Sequence, residues 1–424
     1  MNEDFFEHIK YRGYVHQCTN EKDLKKKLSK SIVGYIGFDC TADSLHVGSL
    51  LPLMLLKIFQ KFGHKPIILV GGGTTLVGDP SGKDETRKIL DERTINQNKK
   101  KLKIIFEKFV DFDTKKKNCA VLVDNFEWLE KLKYISFIRD IGSKFSVNKM
   151  LSLESIKQRL SREQNLSFLE FNYSILQAFD FLELNKKFDC ILQFGGSDQW
   201  GNIISGIDLV KKEKHKEVYG LTTPLLTNSN GDKMGKTTEG AVWLSEDKLN
   251  SFDIWQFWRN TSDNDVIKFL KLFTEVSKKE IEKYELHDGT EINKLKIILA
   301  NKITTNCHGK EKDSKAAHEA EKIIGSKRID SNILTTSEKK IEITEKELEE
   351  GFSLKNALIK LNLSSSMSES KRFITQGAIK LNNMQINNKE HQIKKNDFTV
   401  DEKKNYYLVI NVGKKKFGFI KLIT

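Results

Sequence analysis

The sequence predicts an α/β protein: a parallel sheet covered by helices on both faces, followed by an α-helical region and a small α+β domain. Residues 31–222 alternate short apolar runs with helical patterns of about 10–15 residues, as parallel sheets require. Residues 246–326 have a helical pattern with few β-branched runs. Residues 352–424 return to short strands and helices and are strongly basic.

The first predicted domain spans residues 1–222 and begins with amphipathic helical sequence in residues 1–30. Its sheet elements are predicted as strand 32–38, helix 49–62, strand 66–71, helix 92–109, strand 119–124, strand 188–194 and helix 200–213. An inserted segment at about 120–170 has an apolar helical stretch at 135–160, which indicates either a subunit interface or ordinary core packing.

Residues 223–326 are predicted as a second, mostly helical domain. Its helices are expected at Ser251–Arg259, Asp263–Leu272, Ser277–Leu286, Gly289–His308 and Asp313–Ile324. Residues 327–351 are polar and charged, so we interpret them as a linker with a short acidic arm. Residues 352–424 form the third predicted domain.

Composition excludes several classes of protein. A chain of 424 residues can hold two or three domains. Its apolar runs are too short to span a membrane, and its N-terminus lacks an apolar signal core, so we expect a cytoplasmic protein with no membrane partner. Its five cysteines are scattered without a C-x-x-C pair, which argues against a zinc site and a disulfide framework.

Charge is concentrated at the C-terminus. The whole chain carries +13, and residues 352–424 contribute +9 from fourteen Lys or Arg and five Asp or Glu. A small basic domain indicates a polyanionic partner, most simply RNA. A solvated basic surface is the alternative interpretation.

Two distant motifs indicate a site for a nucleoside triphosphate. A strand, Ser31–Asp39, leads through the turn Cys40–Ser49 into an apolar helix, and Lys233–Thr237 follows much later. A helix N-terminus attracts phosphate, and the side chains of Thr41 and His46 in the turn can donate hydrogen bonds to it. Lysines of the later motif can neutralise a departing pyrophosphate. The alternative is a surface histidine and a solvated lysine-rich turn.

A rival motif, Gly231–Thr237, nearly matches a phosphate-binding loop but is one residue short. That loop must open a helix, whereas Thr238–Leu244 has the pattern of a strand. We therefore predict the tip of a hairpin at this position.

Polar residues also cluster where ligands of parallel sheets bind. Asp39, Gly72, Asp79 and the run Gly195–Gln199 follow predicted strands, at the carboxyl edge of the sheet.

One apolar helix carries a polar stripe. Tyr173, Gln177 and Asp180 fall at i, i+4 and i+7 within Phe168–Leu182, so they share a face. Buried polar groups need partners, which a small polar ligand would supply. A carboxylate and an amide beside Tyr35 and Tyr173 would suit an ammonium group and a phenolic hydroxyl. A paired network inside the core is the alternative.

These residues resemble a known family. Gly37–Ser49 resembles the first signature of class I aminoacyl-tRNA synthetases in its tyrosyl form. The motifs at Val77–Lys83, Gln177–Asp180, Gly195–Asn202 and Lys233–Thr237 are similar to those of bacterial-type tyrosyl-tRNA synthetases. Ser364–Asn382 resembles an S4-type RNA-binding domain. The resemblance covers nearly the whole chain and implies a Rossmann-like catalytic domain, an α-helical anticodon-binding domain and an S4-like domain.

The resemblance also implies a reaction. L-tyrosine would be activated with ATP to tyrosyl-adenylate and pyrophosphate, and the tyrosine would then pass to the 3′ end of tRNA(Tyr). Mg²⁺ is expected with ATP, held mostly by phosphates, with no metal bound by the protein itself. A homodimer is expected through the 120–170 segment.

By the same resemblance, residues at three groups of positions would form the sites. Tyrosine would contact Tyr35, Asp79, Tyr173, Gln177, Asp180 and Gln199. ATP would contact Asp39, Cys40, His46, Gly48, Ser49, Asp198, Lys233, Met234, Gly235, Lys236 and Thr237. The catalytic groups would be Thr41, His46, Lys83, Arg87, Lys233, Lys236 and Thr237. RNA would contact Lys371, Arg372 and Lys380.

The sequence departs from the family pattern at a few positions. Ser49 replaces the usual second histidine of the first signature, Cys40 stands where proline is common, and Met234-Gly235 replaces a common Phe-Ser pair. Ser49 can still donate a hydrogen bond, so a modest effect on rate is expected. Two alternatives stay open: tryptophanyl-type activation on a related fold, and a non-catalytic RNA-binding protein on the same scaffold.

Overall fold

The computed structural model describes most of the chain: residues 4–81, 90–229, 231, 234, 236–237, 240–286, 291–309, 340–382, 384–400, 406–413 and 416–423. It divides the chain into two compact units, Met1–Asp313 and Ser314–Thr424. Each unit has a sheet of its own. Within the described residues, no helix is long and apolar enough to cross a bilayer.

A six-stranded sheet forms the centre of the first unit. In spatial order its strands are β1 (Gln17–Cys18), β6 (Tyr219–Thr223), β5 (Cys190–Gly196), β2 (Val33–Asp39), β3 (Lys65–Gly71) and β4 (Val121–Asp124). All neighbouring strands are parallel except β1 and β6. The inner strands are apolar and buried, as expected for a parallel sheet covered on both faces.

Helices surround this sheet. They are α1 (Phe5–Arg12), α2 (Glu21–Leu28), α3 (Leu50–Lys61), α4 (Gly72–Val77), α5 (Glu92–Phe106), α11 (Tyr173–Phe188) and α12 (Trp200–Lys214). Leu50–Lys61 buries an almost continuous apolar surface, which explains its strong signal in the sequence. The predicted α/β class is confirmed, and the predicted strands and long helices lie within a few residues of the observed ones.

Short helices fill the inserted segment between β4 and α11. They are α6 (Phe126–Leu129), α7 (Tyr134–Asp140), α8 (Val147–Leu151), α9 (Glu154–Ser161) and α10 (Phe168–Phe171). Several large apolar side chains of this segment are exposed, including Ile135 at 76% and Phe168 at 68%. Plain core packing therefore does not account for all of its apolar residues.

Four further helices complete the first unit: α13 (Ser251–Arg259), α14 (Val266–Phe273), α15 (Lys278–Glu285) and α16 (Ile292–His308). Trp258 is fully buried, with its ring centroid 5.6 Å from that of Phe269 and 5.2 Å from that of Phe273. The buried guanidinium of Arg12 donates to three backbone carbonyls at the end of α14 and beyond, which ties the N-terminus to this helical region. The helix predicted at Asp313–Ile324 lies outside the described residues.

The described end of the motif Lys233–Thr237, called the second signature from here on, lies on a hairpin. Lys236–Thr237 pairs antiparallel with Gly240–Ala241. No helix begins at the described residues of this motif, which agrees with the rejection of a phosphate-binding loop.

The second unit contains an antiparallel sheet with one parallel edge strand. Its strands lie in the order Met384–Ile386, Ile379–Leu381, Tyr406–Val412, Lys416–Ile423 and Lys340–Thr344, with Thr399–Val400 also paired to Tyr406–Val412. A separate two-stranded antiparallel sheet consists of Phe352–Ser353 and Gln392–Ile393. The helices are Glu345–Glu349, Leu354–Lys360 and Met367–Thr375.

The predicted linker 327–351 needs a correction at its end. Residues 327–339 lie outside the described part, but Lys340–Thr344 is a strand that pairs in parallel with Lys416–Ile423. Ile341 and Ile343 alternate with polar residues and join the core of this unit, a period-2 pattern that the charge of the segment concealed.

Candidate active site

A cavity of about 640 Å³ opens at the carboxyl edge of the central sheet. The strand order reverses beside β2, because β3 and β4 lie on one side and β5 and β6 on the other. Such a switch point leaves a crevice above the strand ends. Predicted site residues that line this cavity are Tyr35, Asp39, Thr41, His46, Gly48, Ser49, Asp79, Tyr173, Gln177, Asp180, Asp198, Gln199 and Met234.

At its inner end the cavity is closed around Asp180, whose side chain is only 2% exposed. The Asn125 amide donates to one carboxylate oxygen at 2.9 Å, and the Trp128 indole donates to the other at 2.8 Å. Burial raises the pKa of Asp180 to about 8, although these two hydrogen bonds act to lower it. The carboxyl group therefore changes charge near physiological pH.

Tyr35 lies in the same end of the cavity, with 1% exposure. Within the described part of the chain its hydroxyl has no hydrogen-bond partner. Burial, with a contribution from the charge of Asp180, raises the pKa of Tyr35 well above its usual range. The hydroxyl therefore stays neutral and remains able to donate a hydrogen bond.

A chain of hydrogen bonds joins this inner end to Asp39 at the end of β2. The Asn125 amide also donates to the Thr74 hydroxyl at 3.0 Å, and that hydroxyl donates to Asp39 at 3.0 Å. The Tyr173 hydroxyl donates to the other Asp39 oxygen at 3.1 Å. These contacts fix the direction of four side chains before any ligand binds.

A second network occupies the wall of the cavity. The Asn202 amide donates to the Gln177 oxygen at 3.1 Å and to the Gln199 oxygen at 3.0 Å. The Gln199 amide in turn donates to Asp79 at 2.8 Å. Asp79 also accepts from the Ser81 backbone N–H at 2.9 Å, so its carboxylate is held in place.

The outer end of the cavity is open and is built largely from backbone. His46 and Thr41 are exposed at the mouth. The His46 Nδ1 accepts from the Gly48 N–H at 3.0 Å, so in neutral His46 the proton is on Nε2. A side-chain carbon at Gly48 would lie 2.6 Å from the imidazole ring, so a larger residue there would displace the His46 side chain.

At this outer end the first signature meets residues 242–244, which follow the lysine motif. Val47 N–H donates to the Val242 carbonyl at 2.9 Å, and Leu244 N–H donates to the Leu45 carbonyl at 2.8 Å. His46 and Trp243 form the bridge between these two pairs. The backbone therefore holds the His46 segment beside the strand that follows the lysine motif.

One predicted ATP contact is not in the cavity. The Cys40 side chain is fully buried away from it, because the turn after β2 is fixed from both sides. Cys40 N–H donates to the Thr75 hydroxyl, and the Cys40 carbonyl accepts from the Asn98 amide, both at 2.8 Å. Cys40 therefore does not line the cavity, and its predicted contact with ATP stays a prediction.

Some predicted residues lie outside the described residues: Lys83, Arg87, Lys233 and Gly235. For Lys236 and Thr237 only the backbone is described. The predicted RNA-binding residues Lys371, Arg372 and Lys380 are exposed on the second unit.

Three lining or supporting residues were missed by the sequence reasoning. Asn125 follows β4 directly, so the strand-end argument that selected Asp39 would also have selected it. Gln193 interrupts the apolar strand β5, and its buried side-chain oxygen has no hydrogen-bond partner within the described residues. Trp128 gives no signal in the sequence, because an apolar helical segment is the usual place for a tryptophan.

Two family models match this chain. Residues 26–325 match the family model described as tRNA synthetases class I (W and Y). Residues 332–420 match the model of the tyrosine--tRNA ligase SYY-like C-terminal domain. The tyrosine--tRNA ligase of Pelagibacter ubique is 48% identical over 420 residues, covering 99% of both chains. The chain belongs to the tyrosine--tRNA ligase family of class I synthetases.

Other relatives agree. The tyrosine--tRNA ligase of Methylocella silvestris is 47% identical, covering 99% of this chain and 98% of its own. A C-terminally truncated mitochondrial tyrosyl-tRNA synthetase from Aspergillus nidulans has a TM-score of 0.67 and 30% identity, covering 76% of this chain and 94% of its own. The predicted family, an aminoacyl-tRNA synthetase using ATP, is thereby confirmed. A tryptophanyl-tRNA synthetase from Encephalitozoon cuniculi shares the fold at 14% identity and a TM-score of 0.54.

Proposed function

We propose that this chain is a tyrosine--tRNA ligase that uses the cavity for tyrosine activation. The tyrosine carboxylate forms a bond to the α-phosphate of ATP, and the bond from that phosphate to pyrophosphate breaks. The 3′-terminal hydroxyl of tRNA(Tyr) then attacks the tyrosyl carbonyl, and AMP leaves. The observation that carries the proposal is that Asp180 lies in the closed end together with the Tyr35 hydroxyl, which has no hydrogen-bond partner among the described residues.

The closed end suits the phenol of tyrosine. A phenolic hydroxyl can donate one hydrogen bond and accept others, which would satisfy both Asp180 and Tyr35. An indole offers one N–H and no acceptor, so tryptophan would leave the Tyr35 hydroxyl unpaired. An unpaired buried group weakens binding strongly, which favours tyrosine over tryptophan at this site.

The wall of the cavity suits the amino-acid backbone. An ammonium group needs acceptors, and the Tyr173 hydroxyl, the Gln177 amide oxygen and the Asp79 carboxylate are held in place on this wall. Gln199 would lie beside the substrate carboxylate. Because these groups are already oriented, little reorganisation is needed when tyrosine binds.

The open end suits ATP. Asp39, Gly48 and Asp198 would contact the adenylate, chiefly its ribose, with Ser49, Met234 and Gly235 nearby. Thr41 and the Nε2–H of His46 would donate to the γ-phosphate as charge develops there. Lys83, Arg87, Lys233, Lys236 and Thr237 would neutralise the pyrophosphate.

ATP would enter as its Mg²⁺ complex. Asp39, Asp79 and Asp180 are already hydrogen-bonded to protein donors. Among the described residues, no group of three or more His, Cys, Asp or Glu side chains is arranged to hold a metal ion. The phosphates of ATP would supply most of the ligands of the magnesium ion.

The proposed RNA contact lies in the second unit. Lys371, Arg372 and Lys380 are exposed, and this unit contains the concentration of positive charge. Such groups would bind the phosphates of tRNA(Tyr) with an affinity that falls with salt. The proposed location of the reaction is the cytoplasm.

A homodimer would cover the exposed apolar surface of the inserted segment. Ile135, Val147 and Phe168 belong to this surface, whose exposure is unusual for a monomer. Ile135→Asp is expected to give monomers in sedimentation at micromolar concentration. Ile104→Asp, at an exposed site on α5, is the matched control and should leave the dimer intact. A monomeric unmodified protein would contradict the proposal.

The function is tested by amino-acid-dependent exchange of labelled pyrophosphate into ATP, run without tRNA over all twenty amino acids. Exchange with tyrosine alone is expected. Exchange with tryptophan would instead support tryptophanyl-type activation. Exchange with none of them would favour a non-catalytic RNA-binding protein on this scaffold.

A further inference from the structure

The helical region α13–α16 contacts both ends of the segment that carries the second signature. We call residues 227–245 the signature segment; its described parts are 227–229, 231, 234, 236–237 and 240–245. At its beginning, the Ser229 N–H donates to the Asp265 carboxylate at 2.9 Å. The Lys268 ammonium donates to the Thr227 carbonyl at 2.7 Å. Both partners belong to the start of α14.

Asp265 is placed for this contact by its own helix. It is 3% exposed and stands directly before Val266–Phe273, where a carboxylate is favoured by the helix dipole. Its neighbour Asp263 is exposed and pairs with Lys296 instead. Two aspartates of one turn therefore differ, since among the described residues of the signature segment a hydrogen bond is seen to Asp265 and none to Asp263.

At the end of the signature segment, His308 contacts Leu244. His308 is the last residue of α16 and is 8% exposed. Its Nε2 lies 3.2 Å from the Leu244 carbonyl oxygen, and its Nδ1 lies 2.8 Å from the Ser251 hydroxyl. A carbonyl can only accept, so Nε2 must donate, and in the neutral ring Nδ1 accepts from Ser251.

Leu244 is held from two sides. Its carbonyl accepts from His308, and its N–H donates to the Leu45 carbonyl at 2.8 Å. Leu45 directly precedes His46, whose imidazole faces the open end of the cavity. One residue therefore joins α16 to the segment that would bind the γ-phosphate.

We propose that Asp265 and His308 are positioning residues for the ATP-dependent step, because they hold the two ends of the signature segment relative to His46. The inference rests on the proposed function. Neither residue lines the cavity, whereas the predicted tyrosine-binding residues do. Their loss should therefore lower kcat/KM for ATP and leave the binding of tyrosine unchanged.

A pair of substitutions separates the two nitrogen atoms of His308. The amide nitrogen of His308→Gln reaches the position of Nε2 and can still donate to Leu244. His308→Asn reaches only the position of Nδ1, so it retains the contact with Ser251 and loses the one with Leu244. If His308 only fills space, the two substitutions should have similar effects.

In pyrophosphate exchange with tyrosine saturating, His308→Asn should lower kcat/KM for ATP by about threefold to tenfold, as expected for one lost hydrogen bond. His308→Gln should stay within about twofold of the unmodified enzyme, and KM for tyrosine should not change in either variant. Equal losses in the two variants, or a parallel change in KM for tyrosine, would overturn the inference.

Asp265 is tested in the same assay. Asp265→Ala should lower kcat/KM for ATP by about threefold to tenfold, whereas Asp265→Asn retains an acceptor for Ser229 and should restore most of it. Asp263→Ala is the matched control and should have no effect. If Asp265→Ala does not fold, the two His308 variants decide the matter. An unmodified enzyme without tyrosine-dependent exchange would overturn the proposed function itself, whereas normal exchange with unaffected variants would overturn only this inference.

Discussion

The two ends of the cavity are built in different ways. At the inner end, Asp180, Tyr35 and Asn125 are buried side chains whose directions are fixed by packing and hydrogen bonds. At the outer end, Thr41 and His46 are exposed. Backbone hydrogen bonds hold the His46 segment beside the residues that follow the lysine motif. One end is arranged before the substrate arrives, and the other is open to solvent.

This difference corresponds to two chemical tasks. Selecting one amino acid requires buried polar groups that only the correct side chain can satisfy. Stabilising a leaving pyrophosphate requires donors that reach charge as it develops in the transition state. We therefore expect substitutions at the inner end to change the use of tyrosine, and substitutions at the outer end to change the rate of the chemical step.

The largest effect is expected from Asp180→Ala. The variant leaves the Trp128 and Asn125 donors unpaired and removes the partner of the substrate hydroxyl, so kcat/KM for tyrosine should fall at least about 100-fold. Affinity for tRNA should stay nearly unchanged, because the predicted RNA contacts lie in the second unit. Persisting activation in pyrophosphate exchange would show that the inner end does not bind the phenol.

His46→Asn examines the outer end. The asparagine oxygen can still accept from the Gly48 N–H, so the backbone turn is kept while the Nε2 donor is lost. We expect kcat of exchange to fall about 100-fold, as for the loss of one donor to a transition state, with KM for tyrosine unchanged. A raised KM for tyrosine with normal kcat would contradict the division between the two ends.

Selectivity should depend on pH through Asp180. Below its pKa of about 8 the carboxyl is protonated and neutral, and phenylalanine leaves no buried charge unpaired. Above that pH the carboxylate is ionised, so phenylalanine, which lacks the hydroxyl donor, binds less well. The ratio of kcat/KM for tyrosine to that for phenylalanine should rise up to about tenfold per pH unit through this range.

The control for this pH dependence is Asp180→Asn, which has no carboxyl to titrate. For this variant the ratio of kcat/KM for tyrosine to that for phenylalanine should be flat between about pH 6 and 9, a range that includes the pKa of about 8 of Asp180. A flat ratio in the unmodified enzyme would exclude titration of Asp180 as a source of selectivity.

The smallest effect is expected from Trp128→Phe. The change keeps an aromatic ring and removes only the indole N–H that donates to Asp180 at 2.8 Å. KM for tyrosine should rise about threefold to tenfold, and KM for ATP should stay constant. A larger change in KM for ATP than in KM for tyrosine, measured by steady-state kinetics, would argue that the two ends are coupled.

Much of the fold could be predicted because its signals are local. The apolar strands and Leu50–Lys61 are buried on most sides, so their composition alone marks them. The strand Lys340–Thr344 was missed because the charge of the segment concealed its period-2 pattern, and because its partner, Lys416–Ile423, lies more than seventy residues away.

The site was predicted unevenly for a physical reason. Tyr173, Gln177 and Asp180 share a helix, so their spacing places them on one face. Trp128 acts on Asp180 through a contact between two elements, which spacing does not reveal. Cys40 belongs to the first signature, but its side chain is buried, and Thr75 and Asn98 bind its backbone.

The most direct measurement is a crystal structure of the protein with L-tyrosine bound. We expect the phenolic oxygen within hydrogen-bonding distance of both Asp180 and the Tyr35 hydroxyl, and the ammonium group beside Tyr173, Gln177 and Asp79. Tyrosine bound with its ammonium group at Asp180, or bound outside this cavity, would contradict the account.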